Sequence, residues 1–308
     1  MSMRYPAGFI SAFYNPLKNP DAPTIGTATA GFGSVSVTFT APVNVGGSAI
    51  TGFIATARKT SDGTTISATG ASSPISITGL SADALTVTVA AVNTYGPSAS
   101  SAASNSVTPL PAIGAAFGGG FFAGQISTAG NSIADYNLVV GPKSSAQTQL
   151  TWKNANTTTS GADSDIDGPQ NTADMVADGN STVYPCAHFC NDLSTGGQTD
   201  WYMPAKNELE VCYFNLKPTT SNNNTSSGIN PNAVPARASN YTAGTPAQTS
   251  AAEFITSTGA EAFDPNGYWT STEFSYNLAR VQYFSLGGQF DASKNSSIRV
   301  RAVRRVAV

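Results

Sequence analysis

Charged residues are scarce in this sequence. Of its 308 residues, only 11% are Asp, Glu, Lys or Arg, whereas soluble globular proteins average about 25%. Polarity comes instead from Ser, Thr, Asn and Gly, and the chain contains 29 Gly and 18 Pro. This composition is typical of β-rich, turn-dense modules and not of cytosolic metabolic enzymes.

Basic blocks and long apolar runs are also missing. The net charge is −3, and no cluster of Lys and Arg offers a surface for phosphates, so we expect no nucleic-acid partner. No stretch approaches the roughly 18–20 apolar residues that span a bilayer, which predicts no membrane insertion. Residues 1–17 contain one basic residue but no continuous apolar core before a small-residue cleavage site, so no signal peptide is predicted.

The residue types that usually carry catalysis are few. There is one histidine, His188, which helical spacing places on the outer face of a helix with no nucleophile elbow near it. Glu208 and Glu210 are two positions apart, so they do not face each other on a helix. The sequence therefore predicts a protein that is not an enzyme.

The three cysteines raise the question of a zinc site or a disulfide. Cys186 and Cys190 share one helix face, whereas His188 lies about 200° around the helix and cannot converge with them. We therefore expect both thiols to point into the core. A disulfide from Cys212 to either Cys186 or Cys190 stays open, although it would be disfavoured in a protein assembled in a cytoplasm.

The chain separates into three segments: an arm at 1–22, a first domain at 23–110 and a second domain at 111–308. The arm is rich in aromatic residues, including Tyr5, Phe9, Phe13 and Tyr14. It is too short and too often interrupted by proline to form a domain. Two interpretations remain: a strand that completes the neighbouring domain, or an anchor that docks onto another protein.

Residues 23–110 alternate as β-strands do, with Val35, Val37 and Phe39 on one face of a strand. The stretches 77–80 (ITGL) and 89–96 (VAAVNTYG) resemble a fibronectin type III module. The resemblance implies a β-sandwich that acts as a spacer or docking unit. Leu85 occupies the position of the corner tyrosine of that family, and no tryptophan fills the early core strand. Residues 105–111 (NSVTPLP) are predicted to be the linker.

The second domain is predicted to contain strands and two helices. Strands are expected at 117–126 and 136–140, and the first helix is expected at 184–193. In the second helix Pro204 is expected at the first helical position, and its buried stripe consists of Leu209, Cys212, Tyr213 and Leu216. The polar stretch 218–251 is long for a loop within a compact domain, which is typical of a functional or disordered segment.

Two motifs of this domain resemble bacterial and phage C-type-lectin-fold domains. Asp200-Trp201-Tyr202-Met203-Pro204 before Glu208-Leu209 is similar to the W-x-x-P-x-x-x-E-L junction of that family, and the run 267–308 resembles its closing hairpins. The predicted fold class is therefore mainly β and multidomain: a fibronectin-III-like β-sandwich followed by an α+β C-type-lectin-like domain. No cysteine follows Cys212, which excludes the activity of the formylglycine-generating relatives.

Aromatic, amide and hydroxyl residues are interleaved from Phe274 to Ser293, as they are on recognition surfaces. In the tropism-determinant branch of the lectin-fold family this region is the variable receptor-binding face, with Trp269 as a scaffold residue. The receptor-binding candidates implied by the resemblance are Phe274, Tyr276, Asn277, Arg280, Gln282 and Gln289.

Two acidic motifs are candidates for calcium. Asp163, Asp165, Asp167 and Asp174, with Gly168 at the turn, match the spacing of a calcium loop. The alternative is a solvated polar turn, because the last acid is Asp and no flanking helices are evident. Asp264-Pro265-Asn266 is similar to the E-P-N triplet of sugar-binding C-type lectins, but the shorter acid favours a tight turn.

The chain has a composition typical of secreted proteins, yet no signal peptide is predicted. This combination fits a virion protein that is assembled in the host cytoplasm. On this hypothesis the N-terminal arm binds other virion proteins, and the second domain binds a glycan or protein of the host surface. We expect a homo-oligomer such as a trimer that requires no cofactor, with calcium as a candidate ion at the acidic loop. The alternative is a capsid decoration or tail-assembly protein without receptor binding.

Overall fold

The computed structural model describes residues 18–308. The docking candidates of the predicted arm, Tyr5, Phe9, Phe13 and Tyr14, lie outside the described residues. The chain divides into two compact units at Ala112 and Ile113. Strands dominate both units in the described residues, which confirms the predicted mainly β, multidomain fold class. None of the helices in residues 18–308 is long and apolar enough to cross a membrane.

The first unit is a sandwich of two antiparallel sheets. Its strands are β1 (Thr24–Gly31), β2 (Ser34–Thr40), β3 (Gly52–Lys59), β4 (Thr65–Gly70), β5 (Ile75–Thr78), β6 (Leu85–Asn93) and β7 (Gly96–Pro97). One sheet has the order β1-β2-β5 and the other β4-β3-β6-β7. This seven-stranded arrangement of two sheets is the architecture of fibronectin type III domains.

Alternation along the strands forms the core of this unit. Strand β6 buries every second residue from Leu85 to Asn93, and Val35 and Val37 of β2 face the same core. The chain just before β1 is also bonded to the sandwich, since the amide of Lys18 donates to the carbonyl of Gly46 at 3.0 Å. Gly46 has φ +77°, and a Cβ there would lie 2.1 Å from the Lys18 carbonyl oxygen, so this contact requires glycine.

The second unit combines two sheets with four α-helices and one short 3₁₀ helix, Ala252–Phe254. Its elements are β8 (Ala116–Phe117), β9 (Gly120–Ile126), β10 (Tyr136–Val140), α1 (Lys143–Ala146), β11 (Gln147–Leu150), α2 (Gly168–Asp178), α3 (Pro185–Asn191), α4 (Lys206–Leu216), β12 (Gly267–Glu273), β13 (Leu278–Tyr283), β14 (Gln289–Ser293), β15 (Ile298–Arg301) and β16 (Val303–Ala307). The sheets have the orders β16-β10-β9-β8 and β11-β15-β12-β13-β14. One core surrounds α4, and the other surrounds Trp152 and Trp269.

The helices differ from the sequence prediction, most clearly at α4 and α2. Helix α4 begins at Lys206 and not at Pro204, because the Glu208 carboxylate accepts from the amide of Ala205 at 2.8 Å and fixes the start of the helix there. Helix α2 was not predicted. Its signals are Pro169 in the first turn and the Asp167 side chain, which accepts from the amide of Gln170 at 3.4 Å.

The long stretch 218–251 contains no helix or strand, yet buried amide side chains fix its course. The Asn223 side chain donates to the carbonyls of Thr242 at 3.1 Å and Pro246 at 2.9 Å. The Asn230 side-chain oxygen accepts from the amides of Asn232 and Ala233. Buried backbone groups that would otherwise lack partners are thereby paired without regular secondary structure.

Candidate functional site

Two aromatic side chains project from the turn between β12 and β13. We call these two strands and the residues between them the display hairpin. Phe274 is 50% exposed and Tyr276 is 62% exposed. The turn is closed because the amides of Phe274 and Ser275 both donate to the carbonyl of Leu278 at 3.0 Å. The exposure therefore belongs to an ordered turn.

Phe274 is held by a neighbouring charge pair. The Arg280 guanidinium lies 4.2 Å from the centroid of the Phe274 ring, in the geometry of a cation–π contact. Its Nη1 donates to the Asp291 carboxylate at 2.9 Å, and Arg280 and Asp291 are directly opposite on β13 and β14. Two flanking strands thus fix the position of the aromatic ring.

A buried lysine stabilises the turn between β12 and β13. The Lys294 side chain is fully buried, and its ammonium donates to the carbonyls of Thr157 at 3.0 Å and Tyr276 at 3.1 Å. The third contact is an ion pair with the Glu273 carboxylate. Three acceptors match the three N–H donors of an ammonium group. Burial lowers the pKa of Lys294, and Glu273 opposes this shift.

Glu273 extends this connection to another segment. Its carboxylate also accepts from the amide of Thr159 at 2.8 Å, and its own amide donates to the carbonyl of Ala162 at 2.6 Å. The base of the display hairpin is therefore tied to residues 157–162 through buried, charge-assisted hydrogen bonds, which are stronger than neutral ones.

The structure brings together four of the six receptor-binding candidates: Phe274, Tyr276, Asn277 and Arg280. Gln282 is a correction, because it is fully buried on the side of β13 that packs against α4 and cannot contact a receptor. Neither polar atom of its side chain has a hydrogen-bond partner. Gln289 is half-buried, and its side-chain nitrogen is buried without a partner. Trp269 is fully buried, in keeping with its predicted scaffold role.

The predicted calcium loop is not formed. Asp165 pairs with Lys206 at 2.6 Å, Asp167 caps α2, and Asp174 lies on α2 and accepts from Gln170 at 2.9 Å. Within residues 18–308 no three His, Cys, Asp or Glu side chains are placed to hold a metal ion, so Asp163, Asp165, Asp167 and Asp174 do not converge. The carboxylates are separated because the second half of the motif is helical.

Asp264 of the triplet at 264–266 is part of an ion-pair network. Its carboxylate contacts Lys143 and Arg299, each at 2.9 Å, and accepts from the Gln147 side chain at 2.9 Å. Partial burial alone would raise the pKa of Asp264, but the two cations outweigh burial and lower it. The amide of Asn266 donates to the Asp264 carbonyl at 2.7 Å, so the triplet forms a tight turn.

The cysteines are free and buried. Cys186 and Cys190 belong to the core around Trp152, whereas Cys212 belongs to the core around α4, so the two helix stripes do not meet and neither disulfide forms. Burial raises the pKa of all three thiols. His188 is another correction, because its side chain is only 16% exposed and its Nε2 lies 2.7 Å from the Gly179 carbonyl oxygen.

Sequence patterns missed the buried charges of the second unit. Glu208 is fully buried, accepts from the Tyr202 hydroxyl at 2.5 Å and from Arg305 at 2.8 Å, and has a pKa raised by burial. Arg301 is fully buried beside Glu261, and burial lowers its pKa to about 10. One signal was present in the sequence. In a chain with few charges, Glu208 and Arg301 each lie among apolar residues, which suggests a buried ion pair.

Fold and site together define a class of protein: a fibronectin-type sandwich followed by an α+β domain that presents an aromatic hairpin. Residues 144–304 match the family described as Lcl C-terminal domain. The match covers more than half of the chain, and the chain belongs to this family. No curated protein sequence matches the chain.

Several solved structures similar to this chain contain fibronectin-type modules. The titin kinase with its flanking domains is 24% identical over 30% of this chain, with a TM-score of 0.28. A human fourth FNIII domain is 21% identical over 37% of this chain and 96% of its own length, with a TM-score of 0.28. The FN5 domain of Drosophila Lar is 22% identical over 30% of this chain and 97% of its own length, with a TM-score of 0.25. The chain spans 17% of the titin kinase structure.

Proposed function

We propose that this chain is a bacteriophage virion surface protein, an adhesin that binds the host surface through the display hairpin. The observation that carries the proposal is a pair of exposed aromatic side chains, Phe274 and Tyr276, on a turn fixed by the buried ammonium of Lys294. Aromatic anchors dominate binding energy at interfaces. A turn that is already ordered loses little conformational entropy when it binds.

The arrangement around Phe274 suits recognition of a polar surface. Arg280 and Asp291 border the ring and are each partly exposed, at 32% and 23%. They offer donors and acceptors beside an apolar face, as paratopes do. The partner in this proposal is a glycan or protein of the host surface, and binding involves neither catalysis nor a cofactor.

The other parts of the proposal concern assembly. The aromatic residues of the segment before residue 18 would attach the chain to other virion proteins, and the first unit would act as a spacer. The protein would be assembled in the host cytoplasm as a homo-oligomer, such as a trimer. A single small hairpin binds weakly, so several copies on one particle would supply avidity.

The test is binding of the full chain, biotinylated and presented on streptavidin tetramers, to host cells. We expect saturable binding whose affinity falls about thirtyfold or more for Tyr276→Ser and Phe274→Ser, because aromatic hot spots contribute about 2 kcal/mol or more. Ile133→Ser is the matched control, since Ile133 is an exposed apolar residue, 67% accessible, elsewhere in the same unit. A chelator should not change binding.

Equal binding of Tyr276→Ser and Ile133→Ser would contradict the assignment of the display hairpin. If the tetramers do not bind at all, the alternative of a capsid decoration or tail-assembly protein gains support. That alternative predicts that substitutions of Phe9 or Tyr14 lower particle stability and leave host adsorption unchanged.

A further inference from the structure

Strand β14 forms one edge of the five-stranded sheet of the second unit. It pairs with β13 in a register without a bulge. Opposite residues of an antiparallel pair alternate between those that exchange two backbone hydrogen bonds and those that exchange none. The Tyr283 amide donates to the Gly288 carbonyl at 2.9 Å and the Lys294 amide donates to the Asn277 carbonyl at 3.0 Å, which sets this alternation. The even-numbered positions of β14 therefore direct their backbone groups to β13.

Gln289, Asp291 and Ser293 direct their backbone groups away from the sheet. The Gln289 amide donates to the Ser227 hydroxyl at 3.1 Å, and the Ser293 carbonyl accepts from the Ser296 amide at 2.8 Å. Within residues 18–308 no group pairs with the four that lie between: the Gln289 carbonyl, the amide and carbonyl of Asp291, and the Ser293 amide. Two donors and two acceptors in this order match the antiparallel addition of one further strand.

This edge lacks the features that usually prevent strand addition. Edge strands are commonly protected by lysine, proline or a bulge, and β14 has none of these. Asp291 is its one charged residue, with a side chain 23% exposed. On the other face of the strand, Phe290 is 48% exposed and packs edge-on against Tyr283, with 5.7 Å between the ring centroids. An added strand would therefore meet a carboxylate on one face and an apolar ring on the other.

The charge on this edge favours a partner protein over a second copy of the chain. In the antiparallel register that uses all four groups, two copies would place Asp291 opposite Asp291, and like charges in such a pair are destabilising. Arg280 donates to Oδ1 of Asp291, and Oδ2 has no partner within residues 18–308, so a Lys or Arg of the added strand is favoured opposite it. We infer that β14 binds an extended segment of a partner protein by strand addition. Its basic residue lies opposite Asp291, and the apolar residues on either side of it lie opposite Phe290 and Ala292.

The test is fluorescence polarisation of a fluorescein-labelled peptide, GTVKVTG, titrated with the full chain. We expect weak, saturable binding. N-methylation of the Lys nitrogen should weaken binding about tenfold or more, because it removes the hydrogen bond to the Asp291 carbonyl and places a methyl group against the edge. N-methylation of the Val that follows Lys is the matched control, since that amide points away from β14.

Ser293→Pro and Ser293→Ala are the matched pair of protein variants. Both lose the side-chain hydroxyl, but only Ser293→Pro loses the outward amide, a position at which edge strands tolerate proline. We expect Ser293→Pro to weaken peptide binding about tenfold or more, and Ser293→Ala to bind as the unsubstituted chain does. Circular dichroism establishes whether Ser293→Pro is folded, and if it is not, the two methylated peptides test the inference on the unsubstituted chain.

Three results would overturn the inference: no binding of the peptide, equal binding of the two methylated peptides, or equal binding by the two Ser293 variants. A fourth is self-association of the chain alone that Ser293→Pro abolishes, which would identify a second copy as the occupant of the edge. Tyr276→Ser should bind the peptide as the unsubstituted chain does. Strand addition at β14 and recognition by the display hairpin can therefore fail independently.

Discussion

The two units of this chain bury different kinds of side chain. Within residues 18–112 the buried polar residues are Asn93 and Ser101, and the rest of the core is apolar. The second unit buries six charged residues: Lys153, Glu208, Glu210, Lys217, Lys294 and Arg301. The first core depends on alternation along strands, whereas the second depends on specific pairs. Substitutions should therefore act differently on the two units.

The largest effect is expected where a buried pair loses one member. Lys294→Met leaves the Glu273 carboxylate, only 7% exposed, without its cation, and we expect a loss of roughly 3–5 kcal/mol in the free energy of unfolding. Urea denaturation of the full chain followed by circular dichroism measures this change.

The double variant Lys294→Met with Glu273→Gln is the control for that prediction. It removes both charges and keeps an oxygen that can accept from the Thr159 amide. Much of the lost stability should return. If the double variant is as unstable as the single one, packing around Trp152 and not the charge pair determines stability there.

Replacement of the buried Gln282 should stabilise the protein, in contrast to Lys294→Met. Gln282→Met keeps the length of the side chain and removes two buried polar atoms that lack partners, so we expect a gain of about 1–2 kcal/mol in the free energy of unfolding. The same denaturation experiment measures it. A loss of stability would show that water molecules pair with this amide in solution.

A conservative change in the apolar core should be milder than the loss of a charge partner. Ile77 of β5 is fully buried, and Ile77→Val should cost about 0.5–1.5 kcal/mol. Thermal unfolding of the full chain measures the change. A cost equal to that of Lys294→Met would remove the contrast between the two cores.

The smallest effect is expected for the partly exposed network of Asp264. Its pKa lies below the ordinary 3.8 in the folded state, so its ion pairs stabilise the fold above pH 3.8 and lose this effect as the pH falls through the lowered pKa. Asp264→Asn should cost under about 1 kcal/mol at pH 7. The difference from the unsubstituted chain should shrink in denaturation at pH 3, and a constant difference would exclude the ion pairs as its cause.

Strand alternation was sufficient to predict the first unit. Leu85, Val87 and Val89 are buried as their spacing indicated, because in a sandwich each face of a strand has one environment. In the second unit Glu208 and Lys294 are buried, and their partners Arg305 and Glu273 are distant in sequence. Periodicity contains no information on such pairs. The prediction of Gln282 as a receptor-binding residue was wrong for the same reason. Alternation along β13 did not show which of its two faces lies against α4.

The tryptophans give the two units separate spectroscopic signatures. The chain has three, Trp152, Trp201 and Trp269, and all are buried in the second unit, at most 2% exposed. Tryptophan emission from the intact chain therefore reports on the second unit alone. Because the Lys294 ammonium lies 4.9 Å from the Trp152 ring, the emission spectrum should also respond when the turn that carries Phe274 and Tyr276 is disturbed.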